Sequence, residues 1–320
     1  MGCTSDTDQN RKKLHIIPNI KVRLAVYTPM HNTAERTIHK IYPADKVNMG
    51  GHLLDQPLPN NEVQSLDPFL LIHHWNQVLP GGQRQQEAGV GPHPHRGFSP
   101  VTFIFKGAVE HRDSLGKHAT VNAGGTQWMF AGRGITHSER FPSELTENGG
   151  ELEFIQFWVN SPAANKMDQP YYQPIQLADT PLVEEDKSQL WVVSGSYDGI
   201  KGAAPTNSPQ LLLRGELQKD GILKIPVNST FNALVYVLEG ALKSGEQTIL
   251  TKDMAVFQND GDTIKIKAMA NTRYIVLAGE PINEPVAQYG PFVMNTETQL
   301  MEAVRDAQMG KMGVLIETFD

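Results

Sequence analysis

The sequence predicts an all-β protein built from two copies of one sandwich or barrel, followed by a short C-terminal helix. Three observations lead there. The 320 residues carry many short apolar runs punctuated by Gly, Pro, Asn and Asp, the pattern of strands joined by tight turns. Helical periodicity is confined to short stretches. The run VTFIFKGAV at 101–109 is echoed by LVYVLEGAL at 234–242, sharing its apolar pattern and its Gly-Ala; two copies of one strand-turn unit imply two copies of a fold.

In chain order, strands are expected over 22–26, 100–105, 126–130, 151–159, 190–193, 210–213, 233–238 and 273–278. The helix follows from Thr296 and Gln299, spaced as a capping box. Leu300, Ala303, Val304 and Ala307 then share one face, and Gly310 can end it. A shorter helix is expected around 162–166. The stretch 168–188, rich in Pro, Gln, Asp and Glu, reads as a linker.

With 39% hydrophobic residues the chain can bury a substantial core. No apolar stretch reaches the length of a membrane span. The first thirteen residues are polar with no apolar region behind them, which argues against a secretory signal. Met1-Gly2 opens a myristoylation pattern, but Asp6 stands where Ser or Thr is required. Cys3 is the single cysteine, so neither an internal disulfide nor a thiolate cluster can form, a composition that suits the cytoplasm. The formal charge of −7 disfavours direct nucleic-acid binding; Arg11-Lys12-Lys13 is too small and too terminal to reverse that.

The chemistry concentrates in two segments. In Gly91-Pro-His-Pro-His-Arg-Gly-Phe98, alternation along a strand puts His93 and His95 on one side. In Ala131-Gly-Arg-Gly-Ile-Thr-His-Ser-Glu139, His137 and Glu139 likewise share a face. Either pair alone could be incidental. Brought together, they offer three imidazoles and a carboxylate to one borderline divalent metal such as Fe(II), Mn(II), Co(II), Ni(II), Cu(II) or Zn(II). All eleven histidines lie at or before His137, so the C-terminal half has no imidazole for a second such site.

These segments, with Gln127-Trp-Met129, Leu66-Asp-Pro-Phe-Leu-Leu71 and the weaker Gly279-Glu-Pro-Ile-Asn-Glu-Pro285, closely resemble the signatures of the pirin family, in the cupin superfamily. The likeness covers most of 20–310. It implies a bicupin: two facing antiparallel β-barrels of jelly-roll type with the short terminal helix. The implied division is a disordered tail over 1–20, an N-terminal metal-binding cupin over 21–167, the linker over 168–188, and a metal-free C-terminal cupin with the helix over 189–320. Carried over position by position, the metal ligands are His93, His95, His137 and Glu139, with iron as the usual metal.

The resemblance further implies a quercetin 2,3-dioxygenase-like activity, opening a flavonol ring with O2 and releasing carbon monoxide. The flavonol and O2 are then the partners, and Glu139 serves also as proton acceptor. The alternative is a non-enzymatic, redox-responsive iron protein that binds a protein partner, as eukaryotic pirins do with transcription regulators.

Three features depart from the family pattern. Ser99-Pro100 stand where a Glu often follows Gly-Phe. His73-His74-Trp75 replace acidic residues after the Asp-Pro-Phe-Leu run, and the two histidines are expected at the surface or behind the ligands. Pro226, Asn228 and Ile264 fall where the echo would place ligands in the second copy. His111 and His118 are assigned to a turn around Asp113-Ser-Leu-Gly116, and Arg96 and Arg133 either orient a carboxylate or remain solvated.

Overall fold

The computed structural model describes residues 34–319. The tail over 1–20, Cys3 within it and the strand expected over 22–26 lie outside the described residues.

The expected two-copy β architecture is present. In the N-terminal half, seven strands pair in the order Tyr171–Ile175, Thr126–Phe130, Phe98–Lys106, Gly150–Asn160, Phe69–Leu79, His52–Leu58 and Asp45–Met49. A second sheet runs Gly89–His95, Ile135–Arg140, Ala108–Asp113 and His118–Asn122. The C-terminal half repeats the plan. Its seven strands are Ile38–Pro43, Asp253–Phe257, Asn232–Glu239, Thr272–Gly279, Gln210–Leu217, Ser188–Ser194 and Leu182–Glu185. Its four are Ile222–Pro226, Thr263–Ala268, Ala241–Ser244 and Gln247–Leu250. The echoed segments occupy equivalent places, third in each large sheet and third in each small one.

The two large sheets pack back to back. Val101, Phe103, Ile155 and Phe157 from one meet Leu234, Tyr236, Ile275 and Leu277 from the other in a single buried cluster. The residues between them turn inward: Ile104 and Leu152 pack with Val109 and Val121 of the N-terminal small sheet. Val235, Val237 and Val276 pack with Ile225, Ile264 and Ile266 of the C-terminal one. Central strands buried on both faces must be apolar at nearly every position, which is why both echoed segments are unbroken hydrophobic runs. Phe103 and Phe157, fully buried with ring centroids 4.9 Å apart, are load points of this layer, and truncating either to Ala costs about 3–5 kcal/mol.

One strand of the second large sheet comes from the far side of the expected division. Ile38–Pro43, N-terminal to the first sandwich, pairs with Asp253–Phe257 of the second. The stretch read as a linker contains two paired strands: Tyr171–Ile175 closes the edge of the first large sheet against Thr126–Phe130, and Leu182–Glu185 pairs with Ser188–Ser194 of the second.

The terminal helix spans Glu297–Gln308, and the Thr296 hydroxyl caps it by accepting from the Gln299 amide. The reciprocal half of the capping box is displaced by one residue, because Gln299 Oε1 accepts from Asn295 N instead. Leu300, Ala303, Val304 and Ala307 pack on Ala287, Phe292 and Met294. The helix expected around 162–166 is a turn, closed by Asn165 N and Lys166 N donating to the Pro162 carbonyl. Lys166 there buries its ammonium on the carbonyls of Gly97 and Val293 and on Asn160, a tertiary anchor that fixes a compact turn. A short helix occupies Ser143–Asn148 instead. Among the described residues, no helix is long and apolar enough to cross a membrane.

Candidate metal centre

The strands Gly89–His95 and Ile135–Arg140 run antiparallel, with His137 directly opposite His93 and Ile135 opposite His95. That register converts two sequence pairs into one cluster. The ring centroids of His93, His95 and His137 lie 4.4 to 5.0 Å from one another. Each contributes a ring nitrogen to a group whose members all fall within 4.8 Å.

The hydrogen bonds behind the rings decide which nitrogens converge. His93 Nδ1 lies 2.8 Å from the Gly91 carbonyl, and His95 Nδ1 lies 3.3 Å from the Pro291 carbonyl. A carbonyl can only accept, so both Nδ1 atoms carry the proton and both Nε2 atoms keep a free lone pair. His137 Nδ1 faces His111 Nδ1 at 3.3 Å, and His111 Nε2 faces Asp113 Oδ2 at 2.9 Å. The carboxylate accepts from His111 Nε2–H, leaving Nδ1 of His111 to accept from His137. His137 Nε2 is then buried with no partner among the described residues.

An orphaned buried acceptor is costly unless something fills the space before it. Burial, reinforced by the neighbouring imidazoles, holds His95 and His137 well below the usual imidazole range, so both are neutral. Three converging imidazoles, each braced from behind, fit a divalent cation.

Glu139 stands outside this group of three. Gln156 Nε2 donates to both of its carboxylate oxygens, at 2.8 and 3.0 Å. Glu139 keeps regular register against His111 on one side. On the other side the register slips between His137 and Glu139, so that Glu139 faces Val90 rather than Gly91. Glu139 and Gln156 line a cavity with His73, Trp75, Phe141 and Phe154. Its volume is about 30 Å³, the share of a single water molecule.

Other candidates resolve as follows. His111, assigned from sequence to the turn, is buried, stacks on Tyr172 at 3.6 Å and braces His137. Its role was hidden because it depends on the pairing of Ala108–Asp113 with Ile135–Arg140. His118 is exposed and sits 3.2 Å from Glu110. His74 is fully buried, between Tyr236 Oη and Glu153 Oε1 at 3.0 and 3.2 Å, and bridges the two halves. His73 bonds to Gln56. Arg96 donates to the Arg133 carbonyl and reaches Asp306 of the terminal helix, while the Arg133 side is exposed.

In the C-terminal half, Ile225 and Ile264 face one another where the N-terminal half pairs imidazoles, and both are core residues. The chain after the helix returns to the N-terminal half. Glu317 pairs with Arg140 at 2.6 Å, and Thr136 and Ser114 donate to the carbonyls of Gly313 and Met312.

Comparison with known proteins agrees with this architecture. The pirin profile matches residues 51–159, and the profile of the pirin C-terminal cupin domain matches residues 212–313. A pirin-like protein of Solanum lycopersicum is 35% identical, covering 82% of this chain and 88% of its own. A Pseudomonas aeruginosa protein provisionally named quercetin 2,3-dioxygenase is 36% identical, covering 79% of this chain and 88% of its own. The crystal structure of a quercetin 2,3-dioxygenase from Acinetobacter baumannii superposes with a TM-score of 0.82 at 37% identity, covering 88% of this chain and all of that one. The repeated sandwich, the histidine cluster confined to its first copy and these matches agree: the chain belongs to the pirin family.

Proposed function

We propose that His93, His95 and His137, joined by Glu139, hold one divalent metal, with Fe(II) favoured, and that the protein is a dioxygenase cleaving a flavonol such as quercetin. The observation that carries this reading is the convergence of three imidazoles, each with Nδ1 engaged behind the ring. Its quercetinase character draws on the relatives bearing that name.

A bound metal of this kind supplies Lewis acidity toward an enolic hydroxyl and a site where O2 chemistry can proceed. The protein supplies the rest. Glu139, held by Gln156, would accept the hydroxyl proton and would join the imidazoles as the fourth ligand. Trp75, Phe141 and Phe154 form apolar walls that exclude water and favour a planar aromatic guest. A flavonol requires these walls to open, because the space beside Glu139 is about 30 Å³ whereas small-molecule sites run to roughly 300 Å³ or more. Met49, at the tip of the hairpin between Asp45–Met49 and His52–Leu58, lines the same cavity from its exposed side.

The test is turnover of quercetin by protein loaded in turn with Fe, Mn, Co, Ni and Cu, followed by loss of flavonol absorbance and release of carbon monoxide. Absence of turnover with all five metals across several flavonols defeats the enzymatic reading.

The narrowness of the cavity also favours a second reading, a redox-responsive regulatory protein whose surface answers to the charge of the metal. It is tested by capture of a protein partner that depends on Fe(II) or Fe(III), with flavonol turnover blank.

A further inference from the structure

Between the two halves lies a cavity of about 260 Å³ that shares no residue with the histidine cluster. Phe105 and Gly124 come from the N-terminal half, Leu177 from the connecting stretch, and Trp191, Arg214 and Arg273 from the C-terminal half. Arg214 is its unusual member. It projects from the Gln210–Leu217 strand and is only 3% exposed. Yet its Nε and Nη2 have no hydrogen-bond partner among the described residues.

A buried guanidinium normally has its donors met by a carboxylate or carbonyls, because an unmet charged donor costs more than a neutral one. Arg214 is answered only by rings. Its guanidinium carbon lies 5.7 Å from the Phe103 centroid and 5.8 Å from that of Trp191. Such contacts attract the charge but give no acceptor to its in-plane N–H groups. Burial accordingly pushes the guanidinium down to about 10. Glu216 lines the cavity and adds a favourable field, but it is exposed and leaves Nε and Nη2 unbonded. Arg273, the other arginine of the cavity, is already committed to Glu153 and Glu239. Its guanidinium carbon lies 5.9 Å from the Phe105 ring.

We propose that this cavity is a second ligand site, distinct from the metal centre, which binds a small aromatic carboxylate. The carboxylate would draw the Arg214 guanidinium toward it, so that Nε and Nη2, closed off in the empty cavity, turn to donate in the paired geometry that guanidinium favours, and its ring would lie among Phe105, Leu177 and Trp191. The volume is ample for one ring with its acid group. Because both halves line it, occupancy stabilises their packing.

The probe is benzoate, titrated into metal-loaded full-length protein by calorimetry and thermal unfolding. Benzoate is expected to bind saturably at one site and to raise the unfolding midpoint by roughly 5 °C at a hundred times Kd. Benzyl alcohol and inorganic phosphate, lacking the acid group or the ring, are expected to do neither. Arg214→Met keeps the volume, removes the unmet donors and is expected to abolish benzoate binding while leaving metal content unchanged. Should Arg214→Met fail to fold, Leu177→Trp fills the cavity with Arg214 intact and is expected to abolish the same signal. No saturable binding by the unaltered protein overturns the proposal. So does equal binding of benzyl alcohol or phosphate, or benzoate binding that survives in either variant. Quercetin turnover is read separately and bears only on the metal centre.

Discussion

His111 Nδ1 lies 3.3 Å from His137 Nδ1, and its other ring nitrogen is held by Asp113 at 2.9 Å. The carboxylate thereby fixes the tautomer of two successive rings and directs His137 Nε2 into the cluster. Partners behind a metal ligand typically contribute about 10–100-fold to metal affinity. His111→Phe is therefore expected to weaken metal binding by about that factor, measured by competition with a chelator. Unchanged affinity would show that the tautomer is set some other way.

The three imidazoles and Glu139 should not be equivalent. His95 converges with its neighbours, whereas Glu139 is held by Gln156. His95→Ala is expected to lower metal affinity well beyond the ~10-fold of a supporting residue, and Glu139→Gln to lower it less. Metal content after dialysis ranks the two, and a greater loss in Glu139→Gln would make the carboxylate the principal ligand.

Stability should fall in mild acid. Burial pushes His73 down to about 4, and lowers His74 as well. For a histidine depressed in the folded state, the unfolded chain binds the proton first. Its contribution is intact above about pH 6.5 and is lost as pH falls toward the folded value. The unfolding midpoint is thus expected to decline from pH 6.5 to 4, and less steeply in His73→Gln. A flat midpoint across that window contradicts the burial argument.

Glu153 is fully buried between the halves and meets His74, Asn76 and Arg273. Burial pushes its carboxyl up, but His74 and Arg273 together hold it below the usual range. Removing one partner leaves a buried charge short of compensation. Because His74 and Asn76 remain and Arg273 is partly exposed, Arg273→Leu is expected to cost about 2 kcal/mol, below the ~3–5 kcal/mol of a fully stripped pair. Denaturant unfolding of Arg273→Leu measures it, and a stability equal to that of the parent would remove Arg273 from the clamp.

What could be read without the structure follows from local periodicity. Alternation along one strand put His93 beside His95, and the Gly-Ala echo identified equivalent strands of the two copies. Thr296 and the 3.6-residue spacing after it located the helix. What could not be read depends on partners far apart in the chain. His111 becomes a brace only through the register of three strands. Arg214, within an apolar run, carries no local mark of its unmet donors. The turn over 162–166 is set by Lys166 reaching Val293, a contact no window of sequence contains.

The crossing of the outermost strands bears on how the molecule can be divided. A fragment beginning at 189 would lose Ile38–Pro43 and bare the backbone edge of Asp253–Phe257, a template for strand addition by other chains. A fragment ending at 167 would likewise strip Tyr171–Ile175 from Thr126–Phe130. Each copy is therefore completed by chain lying outside its own sandwich, and scissors placed at the apparent midpoint should yield two sticky pieces rather than two working ones.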